Sequence, residues 1–406
     1  MPTTIVKHNN ELIDFLQDVN YGMSKTQFNH LITMMEGSIQ IEGKMSISKI
    51  AENIATAKDK SCIYRFLSES PWDDGLLNRN RISFLEYHLE HYIKPGEIGF
   101  LVIDDTTNLK DVRTKAMEGL DFHYSHTEGK ICWSHCVVTS NFVAGPYAMP
   151  LHFKPYYREE KCKELGIVFE SKVDIAKGFI KEFHTPSNIK RLYVLTDSWY
   201  TSISLIEEAL CKGYHIIGCV KSNKTIFPCG IKIKISQFMK YIEPSTLDLV
   251  TVEGKKYRVY RYEGKVGTFD NAVLLISYEV KEDGFESPIC ILSTDIELGN
   301  ETILRYYAVR WTIETGYQYL KENLGFDEYK VRSLVSIERY ILLCFLAYNF
   351  LEYYRVMQRH LTLKTIGETI QHMKREAIKD FVNFVYYHAK NNVALEHIYA
   401  QLKIAA

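Results

Sequence analysis

Two aspartates and one helix face carry residue types that suit phosphodiester chemistry. Asp105 closes the apolar run GFLVIDD, and Asp197 closes RLYVLTD. A carboxylate at the C-terminal end of a buried strand projects from the edge where open α/β sheets bind ligands. The same charge inside the strand would be buried at high cost. Two hard oxygen ligands on neighbouring strand ends suit a magnesium ion. Further along, Tyr307, Arg310, Glu314 and Lys321 stand at offsets 0, 3, 7 and 14. At about 100° per residue these fall within an arc of roughly 60° on one helix. Arg310–Glu314 alone is an ordinary i, i+4 pair. The segment also holds Tyr306, Trp311, Tyr317 and Tyr319, so it should be packed, and a polar stripe there needs a partner. A metal and a phosphate backbone satisfy all four groups, with Glu314 as ligand and Arg310 and Lys321 on phosphate oxygens.

The elements around these residues change character along the chain. Residues 1–95 read as helical. In SISKIAENIATAKDKSCIYRFLSES, Ser46 and Asp59 are placed to cap two short helices around a tight break. Such a pair suits a helix-turn-helix, with Tyr64 and Arg65, beside Lys60 and Ser61, available to DNA; a plain helical bundle reads equally well. The centre alternates apolar strands with helical periods, including one over 159–183 and one over Thr201–Gly213, which implies an α/β core. Residues 225–290 are rich in β-formers and glycine turns and read as inserted antiparallel sheet. ETILRYYAVRWTIETGYQYLKENLG reads as one helix, and the chain after Val335 is helical again.

Asp-Thr-Thr at Asp105–Thr107, Asp197 after a later strand, and the Y-x2-R-x3-E-x6-K pattern of Tyr307, Arg310, Glu314 and Lys321 resemble the DDE transposases of bacterial insertion sequences, in particular those with the YREK signature. The likeness spans roughly residues 95–335. It implies a ribonuclease-H-like catalytic core, with a β-rich insertion between the second Asp and the Glu, which here lie 117 positions apart. On that basis residues 1–95 would form a helical DNA-binding domain, 96–224 and 289–335 the two parts of the core, 225–288 the insertion, and 336–406 a helical C-terminal region. Asp105, Asp197 and Glu314 would be the catalytic triad, holding two Mg²⁺ ions for which Mn²⁺ can substitute, about 3.5–4 Å apart. Tyr307, Arg310 and Lys321 would contact transposon-end DNA. The partners implied are transposon ends, target DNA and a second copy of the chain in the active complex.

Asp104 competes with Asp105, because adjacent strand residues face opposite ways; the Asp-Thr-Thr match selects Asp105. Asp295 lies outside the motif and reads as a loop or cap residue. Trp199 and Trp311 read as packing. Family members can hold a flipped base on an aromatic of the insertion, where this chain offers Tyr257, Tyr260, Tyr262 and Phe269 but no Trp. Lys221, Lys224, Lys330 and Arg332 are candidates for a DNA channel or plain surface cations.

Composition narrows the class. The 406 residues carry 49 Lys+Arg against 50 Asp+Glu, which excludes a protein that coats nucleic acid by bulk charge. A local track stays open, since residues 301–406 hold 14 basic against 11 acidic side chains. The longest apolar stretch, Ile341 to Leu351, is short of the roughly 18 residues that a membrane span needs and reads as a buried helix. No secretory signal is visible at the start, so a cytoplasmic, nucleoid-associated protein without membrane partners is expected. The nine cysteines show no framework spacing. The one dense patch, His123, His126, Cys132, His135 and Cys136, lacks the paired spacing of a zinc site. Three other functions compete: a ribonuclease-H-like nuclease without strand transfer, an inactive derivative kept as a DNA-binding regulator, and an α/β enzyme for small phosphorylated substrates.

Overall fold

The computed structural model describes residues 4–43, 45–125 and 127–404. It opens with five helices, each started by a polar side chain that accepts an otherwise orphaned N–H. They are α1 (Asn10–Val19), α2 (Lys25–Gln40), α3 (Ile47–Asn53), α4 (Lys60–Ser68) and α5 (Asp74–Tyr92), capped by Asn9, Ser24, Ser46, Asp59 and Asp73. Ser46 and Asp59 therefore act as the sequence suggests. In α4 the buried face is Ile63, Phe66 and Leu67, which leaves Tyr64 and Arg65 exposed.

The central sheet follows. β1 (Glu97–Leu109) precedes β2 (Asp121–Ser125), β3 (Lys130–Ala144) and β4 (Tyr147–Tyr156). Then come α6 (Glu159–Leu165), α7 (Lys172–Glu182), β5 (Ile189–Thr196), α8 (Ile203–Cys211) and β6 (His215–Cys219). β4 and β2 line the outer edge of β3, β3 runs antiparallel to β1, and β1, β5 and β6 are parallel. The helical period expected over 159–183 is broken between α6 and α7. Gly166 adopts φ +68°, a left-handed cap, and Ser171 starts the next helix.

A two-stranded ribbon of β7 (Thr225–Ile226) and β8 (Ile233–Lys234) and the short α9 (Ile235–Phe238) lead to β9 (Asp248–Val252), β10 (Lys255–Val266), β11 (Phe269–Lys281), β12 (Gly284–Phe285) and β13 (Ile289–Ser293). The antiparallel strands expected here do form. They do not close on themselves: β13 pairs with β6 on one side and β11 on the other, so one sheet runs β2-β3-β1-β5-β6-β13-β11-β10-β9. Its hydrogen bonds continue from the parallel core into the inserted strands, and an exposed edge at β6 is avoided.

The chain ends in α10 (Asn300–Ala308), α11 (Trp311–Leu324), α12 (Leu334–Met357), α13 (Ile366–Lys390) and α14 (Leu395–Gln401). The single helix expected over 301–325 is two. At the junction, Val309 N, Arg310 N and Ile313 N bond carbonyls three residues back, which tightens the turn between α10 and α11. α12 is long and apolar enough to cross a membrane by length and composition, yet 83% of that window is buried inside the protein. It packs against α2, α4, α5, α13 and β4, and shares one apolar core with the first helices.

Buried polar groups fix how α12 sits. Arg81 of α5 is fully buried and donates to Asn349 Oδ1 at 2.7 Å and to the Leu151 carbonyl of β4 at 2.5 Å. Asn349 Nδ2 donates to the Pro150 carbonyl at 2.9 Å, and Glu352 accepts from Ala148 N at 3.0 Å. Arg339 donates to Asp74 and to the Trp72 carbonyl at 2.7 Å. These groups would each be costly to bury alone, so they hold the helical body to the sheet in one register.

Glu36 of α2 is fully buried, and its Oε1 accepts from Asn9 N at 2.5 Å. Burial pushes its carboxyl up to about 7 from an ordinary 4.5. The folded state therefore holds a proton that the unfolded chain gives up above pH 4.5, and stability falls as pH rises from about 4.5 to 7. Glu36→Gln should remove this slope. Thermal melts of the variant should gain about 1–3 kcal/mol on the parent protein between pH 5 and pH 8, and parallel pH profiles would contradict this.

Candidate active site

Strand geometry sets the site. β5 stays in register with β1 only as far as Ile103↔Thr196, while β3 continues along β1 to Leu109. Asp104 and Asp105 are the first residues of β1 beyond the end of β5, and Asp197 is the first residue after β5. The two chains thus release three carboxylates at one edge of the sheet. They line an open cavity of about 570 Å³ together with Thr106, Thr107, Arg310, Glu314 and Lys321.

The pleat sends Asp104 and Asp105 to opposite faces. Phe100 and Val102 pack with Ile303 and Ile313 of α10 and α11, whereas Leu101 and Ile103 pack with Ile175 of α7 and Leu205 of α8. Asp104 follows the first set. Its Oδ2 accepts from Arg310 at 3.1 Å, and Arg310 also donates to Glu314 Oε1 at 2.6 Å. Burial, then the neighbouring Asp105 and Asp197 charges, push the Asp104 carboxyl up to about 7. Asp105 follows the second set. Its Oδ2 takes the Lys172 ammonium at 2.8 Å and the Cys136 thiol at 3.3 Å, and its Oδ1 takes the Tyr200 hydroxyl at 2.8 Å.

Asp197 is held by its own turn. Its Oδ1 accepts from Trp199 N at 2.9 Å and Tyr200 N at 3.1 Å, and its carbonyl accepts from Thr201 Oγ1 at 2.7 Å. Lys321 reaches the Thr107 carbonyl at 2.9 Å, and burial lowers its pKa. Of the four-residue helix face, the structure brings Arg310, Glu314 and Lys321 to the cavity. Tyr307, on α10, is not among the residues that line it, and burial raises its pKa. The break between the two helices separates it from the other three. Tyr64 and Arg65 lie on α4 and do not line the cavity.

Other residues singled out in the sequence fall elsewhere. Asp295 is buried, takes Arg191 and Tyr193 at 2.7 Å each, and accepts from Glu297 N at 3.2 Å. In the cysteine–histidine patch, His135 uses both ring nitrogens, on Tyr329 at 2.7 Å and on the Glu118 carbonyl at 2.8 Å. Cys136 is committed to Asp105, and His126 lies outside the described residues. Lys221, Lys224, Lys330 and Arg332 are all exposed. Trp199 and Trp311, expected in the packing, are 59% and 61% exposed instead. Trp311 directly follows the cavity-lining Arg310, and Trp199 comes two residues after the cavity-lining Asp197, each at a turn that leaves the indole outward. Lys172 and Tyr200 complete the site, and neither is marked by the motif spacing. Tyr200 sits three residues after Asp197, within reach of a reading of that turn; Lys172 has no local signal.

The donors at the cavity are carboxylate oxygens, the ligand type that Mg²⁺ and Mn²⁺ take, so the residues fit such ions chemically. Among the described residues, no three His, Cys, Asp or Glu side chains converge at coordination spacing. The guanidinium of Arg310 bridges two of the carboxylates and the ammonium of Lys172 holds a third.

Comparison with known proteins places the arrangement. No curated protein matches the chain in sequence. The cryo-EM structure of the piggyBac transposase synaptic complex with hairpin DNA is similar in fold, with a TM-score of 0.51 at 14% identity. That likeness covers 97% of this chain and 81% of the other. The family described as a transposase DDE domain matches residues 171–350, which include Asp197 and Glu314. The DDE superfamily endonuclease family matches residues 23–237, which include Asp105 and Asp197. With more than half of its length matched by that family, and with the acids gathered at one sheet edge, the chain belongs to the DDE superfamily endonucleases.

Proposed function

We propose that this protein is a DNA transposase of the insertion-sequence type, which cuts the ends of a mobile element and joins the freed 3′-OH to target DNA. One observation carries the reading: a single cavity lined by Asp105, Asp197, Glu314, Arg310 and Lys321, in a chain of the DDE endonuclease family. Asp105, Asp197 and Glu314 are the proposed ligands of two Mg²⁺ ions, with Mn²⁺ as substitute. When bound, such ions activate water and offset charge on the leaving oxygen. Arg310 and Lys321 hold phosphate oxygens of the end DNA. To do so, Arg310 exchanges its carboxylate partners for phosphate, a swap of one charge-assisted pair for another. Tyr307 acts through its packing against the Arg310 guanidinium, 5.9 Å from its ring. No Ser or Tyr nucleophile is required, because the displacement runs through water and then a 3′-OH.

The likeness to the YREK subgroup, reading of bases by Tyr64 and Arg65, and pairing of two copies across the two ends belong to the same proposal. The piggyBac complex was captured as a synaptic complex with hairpin DNA. That supports DNA as the partner here. A strand-transfer assay on pre-cut ends separates a transposase from a nuclease that only hydrolyses, and metal-dependent cutting by the purified chain separates both from an inactive regulator.

Asp197→Asn and Glu314→Gln should each lower Mg²⁺-dependent cleavage of end-containing DNA by more than about a hundredfold, since even 3 kcal/mol of lost stabilisation costs that much. Wild-type rates in either variant would remove the residue from the site. The two aspartates of β1 are separated in the same assay. Asp105→Asn should abolish cutting while Asp104→Asn, which removes the Arg310 partner, reduces it by about tenfold. The opposite order of losses would transfer the ligand role to Asp104.

A further inference from the structure

The turn after Asp197 carries an indole that the cavity does not use. Trp199 is 59% exposed, a large apolar surface for a soluble face to leave in water. Its backbone is nonetheless tightly held. Trp199 N donates to Asp197 Oδ1 at 2.9 Å, and the next residue, Tyr200, is fully buried with its hydroxyl on Asp105. Thr201 closes the turn by donating to the Asp197 carbonyl and by its 2.9 Å contact with Thr196 Oγ1. The fold therefore fixes the base of this side chain and directs the ring outward. Two cations flank it: Lys221 Nζ lies 5.2 Å and Lys172 Nζ 5.9 Å from the ring centre. Lys172 at the same time touches Asp105, so the indole is tied to the acid cluster through a shared lysine.

An anchored flat ring with cations beside it has the composition of a stacking platform for nucleic acid, in which the ring takes a base and the ammonium groups take the adjoining phosphates. A base inside a duplex has both faces covered by its neighbours, so such a platform accepts a base only from an unpaired strand. We propose that Trp199, with Lys221 and Lys172, binds an unpaired nucleobase of the DNA strand that enters the cavity. This rests on the reading of DNA as substrate. It adds a site of its own, outside the strands of 225–288.

The test uses the full chain in Ca²⁺ and two fluorescein-labelled probes, single-stranded (dT)12 and a blunt 12-base-pair duplex, followed by anisotropy. Loss of one base–aromatic stack should weaken (dT)12 binding by about tenfold or more in Trp199→Ala while duplex binding stays within about twofold. Trp199→Phe, which keeps a flat ring, should recover most of the affinity. If Trp199→Ala binds (dT)12 as well as the parent protein, or loses both probes equally, the platform is wrong and the transposase reading is untouched. If the parent protein binds neither probe, the DNA reading falls and the platform with it.

Discussion

Like charge at one sheet edge is the constraint on which the rest of the site depends. Asp104, Asp105 and Asp197 emerge where β1 outruns β5, with Glu314 facing them across the cavity. Burial and mutual repulsion make such a cluster costly, and the cost shows in the Asp104 carboxyl, pushed up to about 7. Two cations balance it. Arg310 bridges Asp104 and Glu314 on one face of the sheet, and Lys172 holds Asp105 on the other. Removing one partner of such a buried set is expensive because the remaining charge is left without compensation.

The scaffold serves that edge. Parallel pairing of β1 with β5 places the ends of two strands side by side, and antiparallel pairing with β3 keeps β1 straight beyond the point where β5 stops. α11 must cross the face that carries Asp104 for Arg310 to reach it. The tightened turn at Val309–Arg310 allows α10 and α11 to follow different lines while both pack on Phe100, Val102 and Tyr193. Farther out, the inserted strands continue the sheet through β13. The helical body is fastened to β4 by Arg81, Asn349 and Glu352, whose buried bonds have one satisfied arrangement.

Much of this was legible in the residues, for reasons that are local. A side-chain oxygen before an apolar period caps a helix whatever surrounds it, and Ser46 and Asp59 do so. An apolar run that ends in an acid brings the acid to a sheet edge: Asp197 follows the last residue of β5, whereas β1 runs on past Asp105 to Leu109 and only outlasts β5 there. Spacing of 4 and 7 residues keeps Arg310, Glu314 and Lys321 on one side of α11 and at one cavity. The apolar stretch within α12, Ile341 to Leu351, is too short for a span and is buried, as its length implies.

The rest depends on contacts between distant parts of the chain. Alternation told that Asp104 and Asp105 face opposite ways; only the placement of α11 on one face and α7 on the other decided which aspartate meets Arg310 and which meets Lys172. Lys172 lies 67 positions from Asp105, and no local pattern could join them. Trp199 and Trp311 look like core by residue type, yet their turns point them outward, because Tyr200 and Ile313 take the buried positions beside them. Tyr307 kept its helical spacing in the sequence and lost its place in the row to the change of hydrogen bonding at the α10–α11 junction. Periodicity and capping are properties of a segment, so a short run of residues fixes them without its surroundings. Which side chain a carboxylate pairs with is a property of packed faces, and it is set only when distant segments meet.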